Sequence, residues 1–320
     1  DKTSEQPVGE PLFSQEPTPG QPVGTTLDIT VQNAADNALA AVTKPTSFVA
    51  VDTATGGVLA ASNAPNAGDN RAFTGQYPPG STFKILSAAA LVSAGVSPDT
   101  PVTCPATTTI GGKRFKNYEF TSFDSGDLAL AFARSCNTVF VSLADRLATG
   151  ALAEEAGLFG LGAKWDIGVP AFSGSVPEPV DAVDEAAAMI GQSRVLASPL
   201  AMAEVAAAVA SGQPRAAKLV DPSPTPPPAL APLAPDLAES LRAMMRETVT
   251  EGTGSALAGL GEVHAKTGTA EYGTDVPPRT HAWLVGYRGD VAFAVIVEDG
   301  ASGAEDAAPV VAAFLSALPG

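Results

Sequence analysis

Three short stretches hold residues whose types and spacing could do chemistry. In "QYPPGSTFKILSAAALV" (76–92), Ser81 precedes Lys84 by three at the mouth of an apolar, alanine-rich run. Residues three apart share a helix face, so the hydroxyl and the amine would be neighbours. A neutral lysine there can take the serine proton and leave a nucleophile. Neutrality requires a depressed pKa, which burial and a second nearby cation both supply. The helix start adds free N–H groups and a partial positive charge where an oxyanion could develop. Taken alone, Ser-x-x-Lys more often means an N-cap serine and a solvated first-turn lysine. "SCNTVF" (135–140) sets Ser135 and Asn137 about Cys136 at a helix or loop start, and alone it reads as a cap and a turn. In "KTGTAEYG" (266–273), a strand would turn Lys266 and Gly268 one way and Thr267 and Thr269 the other. Gly268 would let another segment approach closely. By itself this is an edge strand decorated with Lys and Thr.

The elements around these stretches follow from periodicity. The chain has 320 residues, 45% of them hydrophobic and 16% charged, enough for one large domain or two small ones with ample core. A net charge of −16 offers no basic stripe for phosphates and argues against nucleic acid as a partner. No apolar run is long enough to span a bilayer. Two histidines without Cys-x-x-Cys or His-x-x-x-His spacing do not build a zinc site, and no motif calls for a cofactor. Residues 1–24, rich in Pro, Gly and Glu, read as a linker or the remnant of a preceding domain. Apolar spacing predicts a helix within 25–42 and a hairpin over 47–63. A helix over Ser81–Gly95 follows, and then mostly helical pieces from about 96 to 240: 127–148, 151–157, 182–191 and 198–211. "DPSPTPPPALAPLAP" (221–235) is a polyproline-like surface loop before a helix at about 236–250. After Gly254 the pattern turns to strands, and an amphipathic helix near 304–318 closes the chain. Strands at both ends with helices between suggest one α/β sheet built from both ends of the chain, with a helical subdomain inserted into it.

The three stretches in this order, Ser-x-x-Lys, Ser-x-Asn and Lys-Thr-Gly, resemble the signature of penicillin-recognising serine enzymes. "YPPGSTFK", "KTGTAE", "TTLDITVQ" (25–32), "FVAVDTATGGVLA" (48–60), "IGQSRVLASPLAMA" (190–203), "TEGTG" (250–254) and "HAWLVGY" (281–287) sharpen the resemblance to class B penicillin-binding proteins of the actinobacterial type. It covers nearly all of the chain from Gly24. It implies an antiparallel sheet of about five strands flanked by helices with an inserted all-helical subdomain. The transpeptidase domain would span 25–320, its α/β part about 25–95 and 240–320 and the subdomain about 96–239. A preceding NTF2-like N-terminal domain is expected in the family.

The resemblance also implies roles. Ser81 would attack the carbonyl of the penultimate D-Ala of a peptidoglycan stem ending in D-Ala-D-Ala, with Lys84 as general base. Ser135 would relay protons to the leaving amine, and Asn137 would hold Lys84 and the substrate amide. Lys266 would keep Lys84 neutral and attract the terminal carboxylate, which Thr267 and Thr269 would bind beside Gly268. The backbone N–H groups of Ser81 and Thr269 would form the oxyanion hole. β-Lactams would mimic the stem and stall as acyl-enzymes. Other partners would be cell-wall synthesis proteins, and the setting extracytoplasmic, with the full-length protein attached to the membrane. The rivals are a serine β-lactamase and a β-lactam sensor domain. Two departures, Ser193 in "IGQS" where the family often has Gly, and Ala265 before Lys266, leave the expected chemistry untouched. Cys104 and Cys136 are either a disulfide, permitted outside the cytoplasm, or two buried thiols.

Overall fold

The computed structural model describes residues 17–318 apart from 224 and 226–228. Most of the linker read at 1–24, and part of the polyproline-like loop at 221–235, lie outside the described residues. The strands are β1 (Gly24–Thr25), β2 (Thr46–Asp52), β3 (Val58–Ala64), β4 (Pro101–Cys104), β5 (Thr107–Ile110), β6 (Lys113–Lys116), β7 (Phe123–Asp127), β8 (Val220–Asp221), β9 (Val263–Tyr272), β10 (Arg279–Arg288) and β11 (Val291–Val297). The α-helices are α1 (Ile29–Leu39), α2 (Arg71–Thr74), α3 (Lys84–Ser93), α4 (Leu128–Ala133), α5 (Asn137–Ser142), α6 (Ala151–Leu158), α7 (Ala182–Ala188), α8 (Pro199–Ser211), α9 (Pro235–Thr250) and α10 (Ala308–Ala317).

The fold is α/β, built on a five-stranded sheet in the order β3-β2-β11-β10-β9, every pair antiparallel. Period-2 alternation sends its side chains to two separate cores. Phe48, Ala50, Leu284, Phe293 and Val295 pack under α1 and α10, where Phe48 and Phe314 rings meet at 4.5 Å. Val49, Val51, Val285, Ala294 and Ile296 face the other way, toward α3, α8 and α9. A sheet covered on both faces explains why β10 and β11 read as nearly continuous apolar runs. Each such side chain removed from water contributes about 1.5–3 kcal/mol before entropy is charged against it.

Four details differ from the sequence expectation. The insert is not all-helical: β4 pairs with β7, and β5 with β6. These four strands of four or five residues are too short and too polar for a period to show. The helix expected over 127–148 is broken, because Ser135 sits at φ +58 and turns the chain between α4 and α5. Helix α8, expected within the subdomain, lies across β2, β10 and β11 instead, and its alanines let helix and sheet approach closely. The helix expected at Ser81 opens as a single 3₁₀ turn, Gly80–Phe83, before α3 begins at Lys84.

Candidate active site

That 3₁₀ turn sets the first distance in the site. Three residues per turn eclipse positions i and i+3, and Lys84 Nζ donates to Ser81 Oγ at 3.1 Å. Ser81 does not cap its helix. The N-cap position belongs to Pro79, and the Ser81 hydroxyl turns to Lys84 and to Asn137 Oδ1 at 3.4 Å. Nor is Lys84 solvated: its side chain is wholly buried. Its amine donates to Asn137 Oδ1 at 2.7 Å, to the Ser135 carbonyl at 2.8 Å and to Ser135 Oγ at 3.3 Å. Burial, and after it the charge of Lys266, hold the Lys84 pKa well below the usual lysine range.

The left-handed backbone at Ser135 is what aims two groups of the Ser-x-Asn stretch at one amine. It brings the Ser135 carbonyl and the Asn137 side chain to the same side of the α4–α5 corner. The corner is fixed by a residue the sequence did not single out. Asn117, 1% exposed, accepts from the backbone N–H groups of Asn137 (2.8 Å) and Thr138 (3.0 Å). Its amide nitrogen donates to the carbonyls of Pro105 (2.9 Å) and Thr121 (2.7 Å). No motif marks Asn117; its only signal is an amide-bearing residue at the end of a short strand. The Cys104 and Cys136 sulfurs are bonded to each other beside it, tying β4 to the corner.

The opposite wall is β9, an edge strand of the sheet. Lys266 is fully buried, donates to the Thr267 carbonyl at 3.0 Å and lies 5.5 Å from the centre of the Phe132 ring. Burial lowers its pKa to about 7. Thr267 exchanges a short hydroxyl hydrogen bond with Thr253, whose N–H donates to the Ala133 carbonyl at the end of α4. "TEGTG" therefore buttresses the Lys-Thr-Gly strand from behind. Gly268 admits the Ser81 turn: a Cβ there would lie 2.9 Å from Thr82 Cγ2 and 3.1 Å from its backbone nitrogen. Thr269 stays partly open beside that turn.

The Pro-Pro-Gly elbow is held from both sides. Trp283 Nε1 donates to the Pro78 carbonyl at 3.1 Å, and Tyr77 donates to Glu298 at 2.9 Å. On the other side Gly80 N–H donates to the Gly191 carbonyl at 3.0 Å. Gly191 has φ +65, and a Cβ on it would fall 2.2 Å from the Gly80 carbonyl oxygen. Ser193, where the family often has Gly, also lies at positive φ and is held by Asp184. Glu271, beyond the Lys-Thr-Gly stretch, is half-exposed and faces Lys116 at 3.6 Å. The expected site residues Ser81, Lys84, Ser135 and Asn137 thus meet where the insert adjoins the sheet edge that carries Lys266, Thr267, Gly268 and Thr269. A serine hydroxyl bonded to a buried amine of lowered pKa, beside a second buried amine, is equipped for nucleophilic attack on a carbonyl.

The family model described as the penicillin binding protein transpeptidase domain matches residues 46–316. The peptidoglycan D,D-transpeptidase PbpA of Mycolicibacterium smegmatis is 36% identical over 283 residues, 78% of this chain and 56% of that protein. PbpA of Mycobacterium tuberculosis is 33% identical over 292 residues, again 78% of this chain and 56% of that one. The chain therefore spans about half the length of these curated relatives. A ceftriaxone acyl-enzyme complex of penicillin-binding protein A from M. tuberculosis superposes with a TM-score of 0.84 at 29% identity, covering 92% of this chain and 79% of that one.

Proposed function

Because the chain belongs to the penicillin-binding protein transpeptidase domain family, we propose that it is a peptidoglycan D,D-transpeptidase, with residues 25–320 as its catalytic domain, and that β-lactams acylate it. The observation that carries this reading is the 3.1 Å contact between Ser81 Oγ and a buried Lys84 amine of depressed pKa.

In the first step neutral Lys84 takes the Ser81 proton as Oγ bonds to the carbonyl carbon of the penultimate D-Ala. The negative charge on the carbonyl oxygen is met by the backbone N–H groups of Ser81 and Thr269. The bond to the terminal D-Ala nitrogen then breaks. The proton passes from Lys84 by way of Ser135 to that nitrogen, and free D-Ala leaves an acyl ester on Ser81. In the second step the amine of another stem gives its proton to the same relay and bonds to the acyl carbon. The Oγ–carbon bond breaks, Ser81 regains a proton, and the product is an amide cross-link. Asn137 orients Lys84 and the donor amide. Lys266, Thr267 and Thr269 hold the terminal carboxylate.

The Cys104–Cys136 bond supports an extracytoplasmic setting, in which cell-wall synthesis proteins would be the partners. No helix among the described residues is long and apolar enough to cross a membrane. The test is intact mass after mixing with penicillin G. A long-lived adduct is expected, absent in Ser81→Ala. An adduct that persists in Ser81→Ala overturns the nucleophile, and rapid hydrolysis without an adduct turns the reading to a serine β-lactamase. Transfer from a D-Ala thioester donor to an acceptor amine separates a transpeptidase from a sensor domain.

A further inference from the structure

The outer edge of β9 is closed just beyond the site, by a side chain. The carboxamide of Gln192 faces the backbone of Glu271, and in the amide orientation that satisfies both groups its nitrogen donates to the carbonyl at 3.1 Å and its oxygen accepts from the N–H at 3.0 Å. That is the two-point pairing one strand residue makes with another. The register of β9 on β10 runs unbroken from Val263 to Tyr272. Backbone groups along β9 therefore alternate, one residue toward β10 and the next outward. Since those of Glu271 point outward, so do those of Thr269 and Thr267. The Thr267 carbonyl is accordingly free to accept from Lys266 Nζ at 3.0 Å. The outward rungs run 267, 269, 271, and Gln192 fills the last.

We infer that Gln192 is a specificity residue that ends the β9 edge one rung past Thr269 and so limits how far a peptide donor can pair along it. The inference rests on the donor reading above. A donor whose reacting unit pairs at the Thr269 rung would need the Glu271 rung to continue as an added strand. It meets the carboxamide instead. The favoured donors are those whose backbone leaves β9 after one rung, and long, linear, extended donors are disfavoured.

Two further observations make Gln192 a fixed stop. Its neighbour Gly191 is wedged against the Ser81 turn, where its carbonyl accepts from Gly80 N–H at 3.0 Å. The Glu271 side chain is engaged separately with Lys116, so Gln192 reads backbone and not the carboxylate. The opposite edge of the sheet carries the same device in its protective form. Gln32 pairs with both backbone groups of Ala61 at 2.9 and 3.1 Å, but there α1 lies along β3 and covers it. Beside Ser81 the edge has to stay open for a ligand, and one amide decides where it stops.

The experiment compares kcat/KM for a short donor, N-acetyl-D-Ala-D-Ala, with that for a linear pentapeptide ending in D-Ala-D-Ala. Gln192→Ala is expected to raise the long-to-short ratio about fivefold, the value of one regained net hydrogen bond. Gln192→Glu keeps an acceptor for the Glu271 N–H but loses the donor to its carbonyl, and is expected to shift the ratio the same way by a smaller factor. Glu271→Ala, which leaves the backbone rung intact, should leave the ratio where it was. Penicillin G adducts report that each variant is folded. If both Gln192 variants form adducts but change the two donors by equal factors, or if Glu271→Ala shifts the ratio as Gln192→Ala does, the inference is overturned. Failure of the unaltered protein to form any adduct would instead overturn the donor reading itself.

Discussion

Lys84 and Lys266 are both wholly buried, and no carboxylate among the described residues lies close enough to offset the burial of either amine. Burial lowers both pKa values, and the charge of Lys266 lowers that of Lys84 further. A base and a cation are thus built from the same residue type by a difference in surroundings.

This pair predicts the pH profile. Acylation by penicillin G needs Lys84 neutral and Lys266 charged. The rate is expected to rise from acid pH as Lys84 deprotonates and to fall again through about pH 7 as Lys266 does. Lys266→Met should remove the falling limb and cost on the order of 100-fold in rate. Its stability should move the other way. A lysine whose folded pKa is lowered opposes folding wherever it must be charged, so the native fold gains stability as pH rises from about 7 toward the unfolded value, and the group's cost is at its full, constant size below about 7. Lys266→Met is therefore expected to raise the unfolding free energy at pH 7 by about 1–3 kcal/mol. A urea titration of the variant that shows no gain at pH 7 would contradict this account.

Asn117→Ala strips two buried backbone N–H groups and two carbonyls of their partners at once. The expected loss is about 2–4 kcal/mol of stability. The acylation rate should fall more than ten-fold because Asn137 loses its anchor. Chemical denaturation and adduct kinetics read the two effects separately.

Gly191→Ala forces a Cβ into the Gly80 carbonyl and imposes a side chain on a left-handed backbone. It is expected to destabilise by about 3 kcal/mol or more. Penicillin acylation should be lost even where the variant still folds, since the Ser81 turn must move. Near-wild-type adduct formation would show that the 191–80 contact does not position the serine.

Opening the Cys104–Cys136 bond frees a loop with a sequence separation of 32. The chain-entropy relation gives about 3–4 kcal/mol for that closure. Cys104→Ser with Cys136→Ser is expected to lower the urea midpoint correspondingly and to slow acylation, because Cys136 lies between Ser135 and Asn137. A non-reducing peptide map that finds two alkylatable thiols would remove the basis of this prediction.

The sheet and the grouping of the motif residues were both legible in this sequence; the short elements between them were not. Ser81, Lys84, Ser135, Asn137 and Lys266 announce themselves because each has a fixed distance along the chain from a partner of complementary chemistry. The sheet was legible because its strands are long enough for apolar content to accumulate. The strands β4 to β7 are only four or five residues each, and their stability comes from docking against α4 and α5, which no local pattern encodes. The break at Ser135 was hidden for a related reason: a serine in a left-handed backbone is held there by what surrounds it. Asn117 acts wholly through the backbone of other residues, so neither its type nor its spacing gives it away.

The strand order carries a consequence for how the molecule comes into being. β9 reaches β2 only through β10 and then β11, and β11 lies near the end of the chain. Ser81 and Lys266 stand far apart along the chain, and the β9–β10 pair that carries Lys266 joins the β2–β3 hairpin of the sheet only through Val291–Val297 beside Thr46–Asp52. A chain cut short before Val291 would still carry every residue of the site, but β9 and β10 would have no strand to join them to β2 and β3.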